Sequence, residues 1–333
     1  MHDFLHRNAG TTPAPVGHRS SGASPDDIRV ARRARSGPER LRVAMAALFA
    51  PGAPRRIAVP PSKWPAVFRA LAGGPDPIAG GPARLAQAGI GEAAILLDDP
   101  ELLAWAQARV GSEASETRVV TVACPNYPTG WLERLGNEAP PAFWLRSNRP
   151  NDPIDVAAAM VPVEEGPAGP GADSADGSIL FGLAERRRRL AVAEAGPTAG
   201  WERADRLGLP PRIVVLFLPF GRRPSPWPGS EGEAGVGASD AVWIGGTQTA
   251  RDAAFLAFGS LTVVGPGTVG PRWQHALLGH RRARRGPIAV WDGPGCGFRH
   301  SLLRLGAIPF HRIEDLGRIL EEIRPTPCAL PEP

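Results

Sequence analysis

A glycine-rich turn offers the clearest chemistry in this sequence. The turn is Gly265-Pro-Gly-Thr-Val-Gly270, and it joins an apolar run to a helical pattern. Such a turn leaves backbone N–H groups accessible at the positive end of the helix dipole, where a phosphate can bind. Gly265 and Gly267 would shape this cradle, Thr268 would add a hydroxyl group and Arg272 a positive charge. The same glycines could instead serve only the strand-to-helix turn.

Other residues are candidates for phosphate contacts along the same chain. Arg251 lies in a helical pattern ahead of the turn, and Arg222 and Arg223 follow the strongest apolar run. A second backbone cradle is predicted after another apolar run, and its members are Gly196, Thr198 and Gly200. We predict no catalytic residues, since no acid/base set or Ser-His-Asp arrangement is recognisable.

The sequence does not predict a metal or cofactor site. His275 and His280 are five positions apart, which misses the spacing that puts two ligands on one helix face, and both are predicted to be solvated. The three cysteines have no C-x-x-C spacing, so we predict no zinc site, no disulfide framework and a reducing cytoplasmic location. No apolar run reaches the length of a membrane helix.

The segment from Pro271 to Arg304 is strongly basic. It contains seven arginines and one acid, Asp292, in a chain of formal net charge +5. Such a stripe is the electrostatic footprint of an anionic or nucleic-acid partner, and equally fits a solvated helix face. Trp227, in a proline-rich loop, is a candidate for stacking on nucleic-acid bases.

These residues require elements that position them. The chain of 333 residues has 40 glycines and 38 prolines, which concentrate in predicted tails and loops. We predict a disordered tail at 1–38, a small all-helical domain at 39–115, an α/β domain at 116–324 and a C-terminal tail at 325–333. From about 154 onwards, apolar strands alternate with helical patterns, which predicts a mostly parallel sheet covered by helices.

One segment near the start of this domain carries a family resemblance. Residues 124–148 place Tyr127-Pro at the front and Ala139-Pro-Pro before an aromatic strand. Downstream, Gly267-Thr268 and the run Leu302-Leu-Arg-Leu-Gly-Ala307 follow in a matching order. This order resembles the DNA-processing protein A family (DprA/Smf), over roughly residues 45–323.

The resemblance implies an extended Rossmann-like domain preceded by a small helical, SAM-like domain. It also implies a non-enzymatic protein that binds single-stranded DNA, helps load the RecA recombinase in natural transformation and forms a homodimer in the cytoplasm. The sequence departs from the family where Asp252 follows Arg251 and where a Val-Gly-Ser-Arg element is expected after Val161.

Two alternatives stay open. A nucleotide phosphoribohydrolase of the Lonely Guy type would need a Pro-Gly-Gly-x-Gly-Thr-x-x-Glu signature. The turn at 265–270 lacks both its Gly-Gly pair and its glutamate. A divergent Rossmann-like sensor that binds a nucleotide or a protein partner is the other alternative.

Overall fold

The computed structural model describes residues 39–55, 59–110, 117–147, 156–161, 189–193, 214–219, 241–293 and 297–323. The two predicted tails, the second cradle at 196–200, and Arg222, Arg223 and Trp227 lie outside these residues. No helix in the described ranges is both long enough and apolar enough to cross a bilayer.

The helices and strands alternate after an opening run of helices. The helices are α1 Glu39–Phe49, α2 Trp64–Ala72, α3 Gly81–Gln87, α4 Gly91–Leu97, α5 Pro100–Val110, α6 Thr129–Leu135, α7 Gln248–Leu256, α8 Pro271–Arg282, α9 Arg299–Arg304 and α10 Ile313–Glu322. The strands are β1 Thr117–Thr121, β2 Ala142–Arg146, β3 Val156–Val161, β4 Arg189–Ala193, β5 Val214–Pro219, β6 Ala241–Ile244, β7 Leu261–Val264, β8 Ile288–Trp291 and β9 Ile308–Phe310.

The nine described strands form one sheet in the order β1-β2-β6-β5-β4-β3-β7-β8-β9. Neighbours from β6 to β9 pair in parallel, whereas β2 runs antiparallel to both β1 and β6. Among the described connections, α7 joins β6 to β7, α8 joins β7 to β8, and α9 joins β8 to β9. The predicted fold class, an α/β Rossmann-like domain with a mostly parallel sheet after a group of helices, is therefore confirmed.

Strand β3 shows why the sheet is parallel and fully covered. Its sequence, Val-Ala-Ala-Ala-Met-Val, has no polar side chain, and all six residues are buried. A strand that alternates apolar and polar residues would leave one face to solvent, but an unbroken apolar strand needs cover on both faces. Ala159 and Val161 belong to the larger core on the side of α7 and α8, and Ala158 and Met160 belong to a second core beneath α10.

Helix α1 joins the opening helices to the sheet. Seven of its eleven residues are buried, so the apolar run that starts at Val43 is a core helix. The indole Nε1 of Trp144, on β2, donates a hydrogen bond of 2.7 Å to the carbonyl of Pro51 just beyond α1. Trp105, on α5, packs edge-on against Trp144, with 6.3 Å between ring centroids. One core thus runs from these helices into the sheet, and the domain boundary at 115/116 stays a prediction.

The segment with the only tyrosine holds this junction together. The hydroxyl of Tyr127 donates a 2.6 Å hydrogen bond to the carbonyl of Pro140. Its ring packs against Trp131 and Phe143, each with 5.8 Å between centroids. Trp131 in turn donates its Nε1 proton to the carbonyl of Ala254 on α7, at 2.7 Å. The aromatic residues of 124–148 are therefore structural, because they fix β2 and α6 against α7.

Candidate nucleic-acid interface

The centre of the sheet contains a point where the direction of chain progression reverses. From β3 the chain adds β4, β5 and β6 on one side, and then returns to add β7, β8 and β9 on the other. In open parallel sheets, ligands bind outside the carboxyl ends of the strands at such a switch point, because the connections diverge there and leave a crevice. The switch point here lies between β3 and β7.

The glycine-rich turn 265–270 begins at this point. It leaves the carboxyl end of β7, which pairs with β3 from Leu261 to Val264. Gly267 has a φ of 134°, a conformation that side-chain-bearing residues rarely adopt. Thr268 is exposed beside it, whereas Val269 is buried and anchors the turn. The turn thus presents Thr268 to solvent at the place where the topology predicts a ligand.

The amino terminus of α8 follows the turn and lacks a side-chain cap. Its N-cap residue is Gly270, and Pro271 occupies the first position, where a missing N–H costs nothing. The side-chain amide of Gln274 donates to the carbonyl of Val269 at 2.6 Å, which holds the turn against the helix. The remaining first-turn N–H groups have no intrahelical acceptor, so they are available to an anion.

Arg272 stands in the first turn of α8, but its guanidinium is already engaged. Its Nε donates to both carboxylate oxygens of Asp252, at 3.1 and 2.9 Å, and its terminal nitrogen completes the ion pair. Asp252 is 5% exposed and Arg272 is 44% exposed. Asp252 also accepts a 2.8 Å hydrogen bond from Gln248. The pair ties α7 to α8 and neutralises most of the charge that Arg272 would bring to the cradle.

Arg251 lies in the first turn of α7, which starts at the carboxyl end of β6. Thr247 caps this helix by accepting the N–H of Ala250 at 3.3 Å. The Arg251 guanidinium donates to the side-chain oxygen of Gln248 at 2.7 Å and to the carbonyl of Gly246 at 3.3 Å. These contacts hold the half-buried side chain near the same edge of the sheet as the turn. Its role as a phosphate contact stays a prediction.

The other predicted contacts follow strands that end at this edge. Gly196, Thr198 and Gly200 come after β4, which ends at Ala193, and Arg222 and Arg223 come after β5, which ends at Pro219. Because β3, β4, β5 and β7 pair in parallel, their carboxyl ends share one edge of the sheet. The two predicted cradles therefore begin at the same edge of the sheet, after β4 and after β7, on either side of β3. The five residues themselves lie outside the described part of the chain.

The basic segment 271–304 divides into two groups of arginines. Four have acceptors in the structure: Arg272 with Asp252, Arg281 with the carbonyls of residues 305 and 306, Arg285 with Glu138, and Arg299 with Asp292. The other three are exposed and have no acceptor among the described residues: Arg282, Arg284 and Arg304. More than half of the stripe is therefore structural, which sequence counting cannot show.

His280 corrects one expectation directly. It was predicted to be solvated, but only 2% of its surface is exposed and both ring nitrogens are buried without a described hydrogen-bond partner. Burial, followed by the positive charges of Arg285, Arg134 and Arg281, lowers the pKa of His280 to about 3. The imidazole is therefore neutral at physiological pH. His275 is exposed as expected, and the described residues include no cluster of three or more metal-binding side chains.

Comparisons with known proteins give structural neighbours only. No protein family and no curated protein matches the sequence. The X-ray structure of DNA processing protein A from Streptococcus pneumoniae is similar over 71% of this chain and 90% of its own, with 12% identity and a TM-score of 0.45. DNA processing protein A from Helicobacter pylori, described by its single-stranded DNA binding mode, is similar over 62% of this chain and 97% of its own, with 12% identity and a TM-score of 0.46. The strand order of the chain itself establishes the fold.

Proposed function

We propose that this protein binds single-stranded DNA at the carboxyl edge of its sheet, as a non-enzymatic DNA-processing protein. The observation that carries the proposal is the position of the 265–270 turn at the topological switch point. There an accessible helix terminus, a left-handed glycine and an exposed threonine meet where parallel sheets bind anionic ligands. The resemblance of the sequence to the DprA/Smf family supports the same ligand.

The charges at this edge predict the character of the binding. Arg251 brings a cation to the first turn of α7, while the charge of Arg272 is balanced by Asp252. Most contacts with phosphate would then come from backbone N–H groups and from the residues after β4 and β5. Such contacts do not distinguish bases, so we expect binding that is independent of sequence and sensitive to salt.

A salt titration with a fluorescent single-stranded oligonucleotide tests this proposal. The logarithm of the association constant should fall against the logarithm of salt concentration, by about 0.7 for each phosphate that the protein neutralises. Arg251→Ala should weaken binding equally for different sequences and flatten this slope. Gly267→Val should reduce the affinity by disturbing the turn, and circular dichroism shows whether it still folds. Failure of the wild-type protein to bind single strands at low salt would refute the proposal.

A nucleotide is the second candidate ligand, and the Arg272–Asp252 pair favours it. With that arginine neutralised, the terminus of α8 offers mainly N–H groups, which suit one phosphate better than a chain of phosphates. A thermal-shift comparison separates the two candidates, because stabilisation grows as RT ln(1 + [L]/Kd) for the ligand that binds the folded state. Loading of RecA and formation of a homodimer belong to this proposal as further roles. Co-precipitation and sedimentation of the full chain test them.

A further inference from the structure

The three exposed arginines lie at or just beyond two helix ends that meet at the opposite end of α8 from the glycine-rich turn. Helix α8 runs from the carboxyl edge of the sheet to its amino edge, where β8 begins. Arg282 is in the last turn of α8 and Arg304 is in the last turn of α9. Arg281 joins the two helix ends, because its guanidinium donates to the carbonyl of Leu305 at 2.7 and 3.0 Å.

Arg284 occupies a backbone position that favours glycine. Its φ is 53°, which makes it the only described non-glycine residue with a positive φ. The N–H of Arg285 donates to the carbonyl of His280 and the N–H of Arg284 donates to that of Arg281, which together form a Schellman motif at the end of α8. Arg284 takes the left-handed position of this motif.

The same chain uses glycine in two equivalent motifs. Gly89 after α3 has a φ of 73° and Gly306 after α9 has a φ of 80°, and both show the same pair of hydrogen bonds. A left-handed residue with a Cβ is strained relative to glycine. In a chain with 40 glycines, an arginine at this position is a departure that folding does not require.

The ordinary explanation of cations at helix ends covers only part of this group. Arg282 and Arg304 oppose the negative ends of the dipoles of α8 and α9, so they stabilise those helices without any partner. Arg284 lies beyond the end of the helix, and its backbone is strained in a way that glycine would not be. Its side chain is exposed and has no acceptor in the described ranges, so its charge is available to an external partner.

We propose that Arg282, Arg284 and Arg304 form a second binding surface, the amino-edge patch, which contacts the phosphates of a single-stranded nucleic acid. The guanidinium groups suit phosphate oxygens, which they can contact with two parallel hydrogen bonds. All three members of the patch are exposed, and none is a buried, well-packed anchor of the kind that lies at the centre of a stable protein interface. The patch lies about 18 Å from the turn, the length of a twelve-residue helix, so one strand could follow α8 between them.

This inference takes its class of ligand from the proposed function, but it concerns a different surface. Arg284→Gly is the sharpest test because it removes the charge and relieves the backbone at the same time. We expect its Tm to equal or exceed that of the wild-type protein by about 2 °C. We expect its salt slope for a single-stranded oligonucleotide to flatten by about 0.7, and that of Arg282→Ser/Arg284→Gly/Arg304→Ser by about 2.

Arg318→Ala is the control for an exposed arginine away from the patch, since Arg318 lies on α10, on the other face of the sheet. Unlike the three patch arginines, it is paired with a carboxylate, that of Asp315 at 2.8 Å. It should leave the salt slope unchanged. If Arg284→Gly and the triple variant bind DNA with the wild-type affinity and slope, the inference is wrong, and a patch that serves an acidic protein would give this result. If Gly267→Val binds normally while Arg284→Gly does not, the site of the proposed function fails and the amino-edge patch stands.

Discussion

Because His280 of α8 is buried and neutral, we expect acid to lower the free energy of unfolding of this protein. His280 has a pKa of about 3 in the folded state, against an ordinary value of about 6.5. The unfolded chain therefore binds a proton at a pH where the folded protein does not. His280 contributes its full stability above the unfolded pKa, and this contribution is lost as the pH falls from about 6.5 towards 3.

The size of the effect follows from the two pKa values. A tenfold change in a proton-binding constant corresponds to about 1.4 kcal/mol, so the complete loss below pH 3 is about 5 kcal/mol. Between pH 7 and pH 4.5 the same relation gives about 2.5 kcal/mol. The physical cause is the removal of water from the ring, to which the nearby charges of Arg285, Arg134 and Arg281 add.

Urea unfolding of the wild-type protein and of His280→Leu at both pH values measures this quantity. Other titrating groups contribute equally to both proteins, so their difference isolates His280. The wild-type protein should lose about 2.5 kcal/mol more than the variant on going from pH 7 to pH 4.5. Equal losses, or an NMR titration that gives His280 a pKa near 6.5, would refute the account of a buried neutral imidazole.

Two further predictions concern packing and charge. Arg272→Ala leaves the buried Asp252 without its cation and should lower the free energy of unfolding in urea by about 2–3 kcal/mol. Adding Asp252→Ala to this variant should recover part of that loss. If the two substitutions instead lower the free energy of unfolding additively, the pair does not interact. Gly259→Ala should be destabilised by 3 kcal/mol or more, on the order of a severe core clash, because its Cβ would lie 2.5 Å from a backbone nitrogen of β3. Gly279→Ala, which meets no atom within 4 Å on the exposed side of α8, should instead gain about 1 kcal/mol, and similar melting temperatures for the two variants would contradict this.

The sequence predicts the longer elements of the fold because their ends carry local signals. Proline in the first turn marks the starts of α5 and α8, which the structure places at Pro100–Val110 and Pro271–Arg282. Unbroken apolar runs likewise predict β3 and β7. The four residues of β6, Ala241–Ile244, were not predicted, because a run this short becomes a strand only through its neighbours β2 and β5.

The candidate site was harder to predict, since it depends on contacts between distant parts of the chain. The glycine turn could be found from local pattern alone, and its place at the switch point follows from the strand order. Pairing of Arg272 with Asp252, 20 positions earlier, could not be found in this way, although both residues were noted. The burial of His280 was also missed, because a helix in a basic segment gives no signal of which face packs against the rest of the protein.

Strands β2 and β3 each pair with a strand that comes much later in the chain, and this affects how the protein folds as it is made. Phe143 on β2 pairs with Ile244 on β6, and Ala158 on β3 pairs with Leu261 on β7, so each partner is synthesised about 100 residues later. Until then, one edge of each strand has no partner. Pairings of this range slow folding and invite aggregation. Expression at low temperature or with added chaperones should therefore improve the yield of native protein more than changes at the surface.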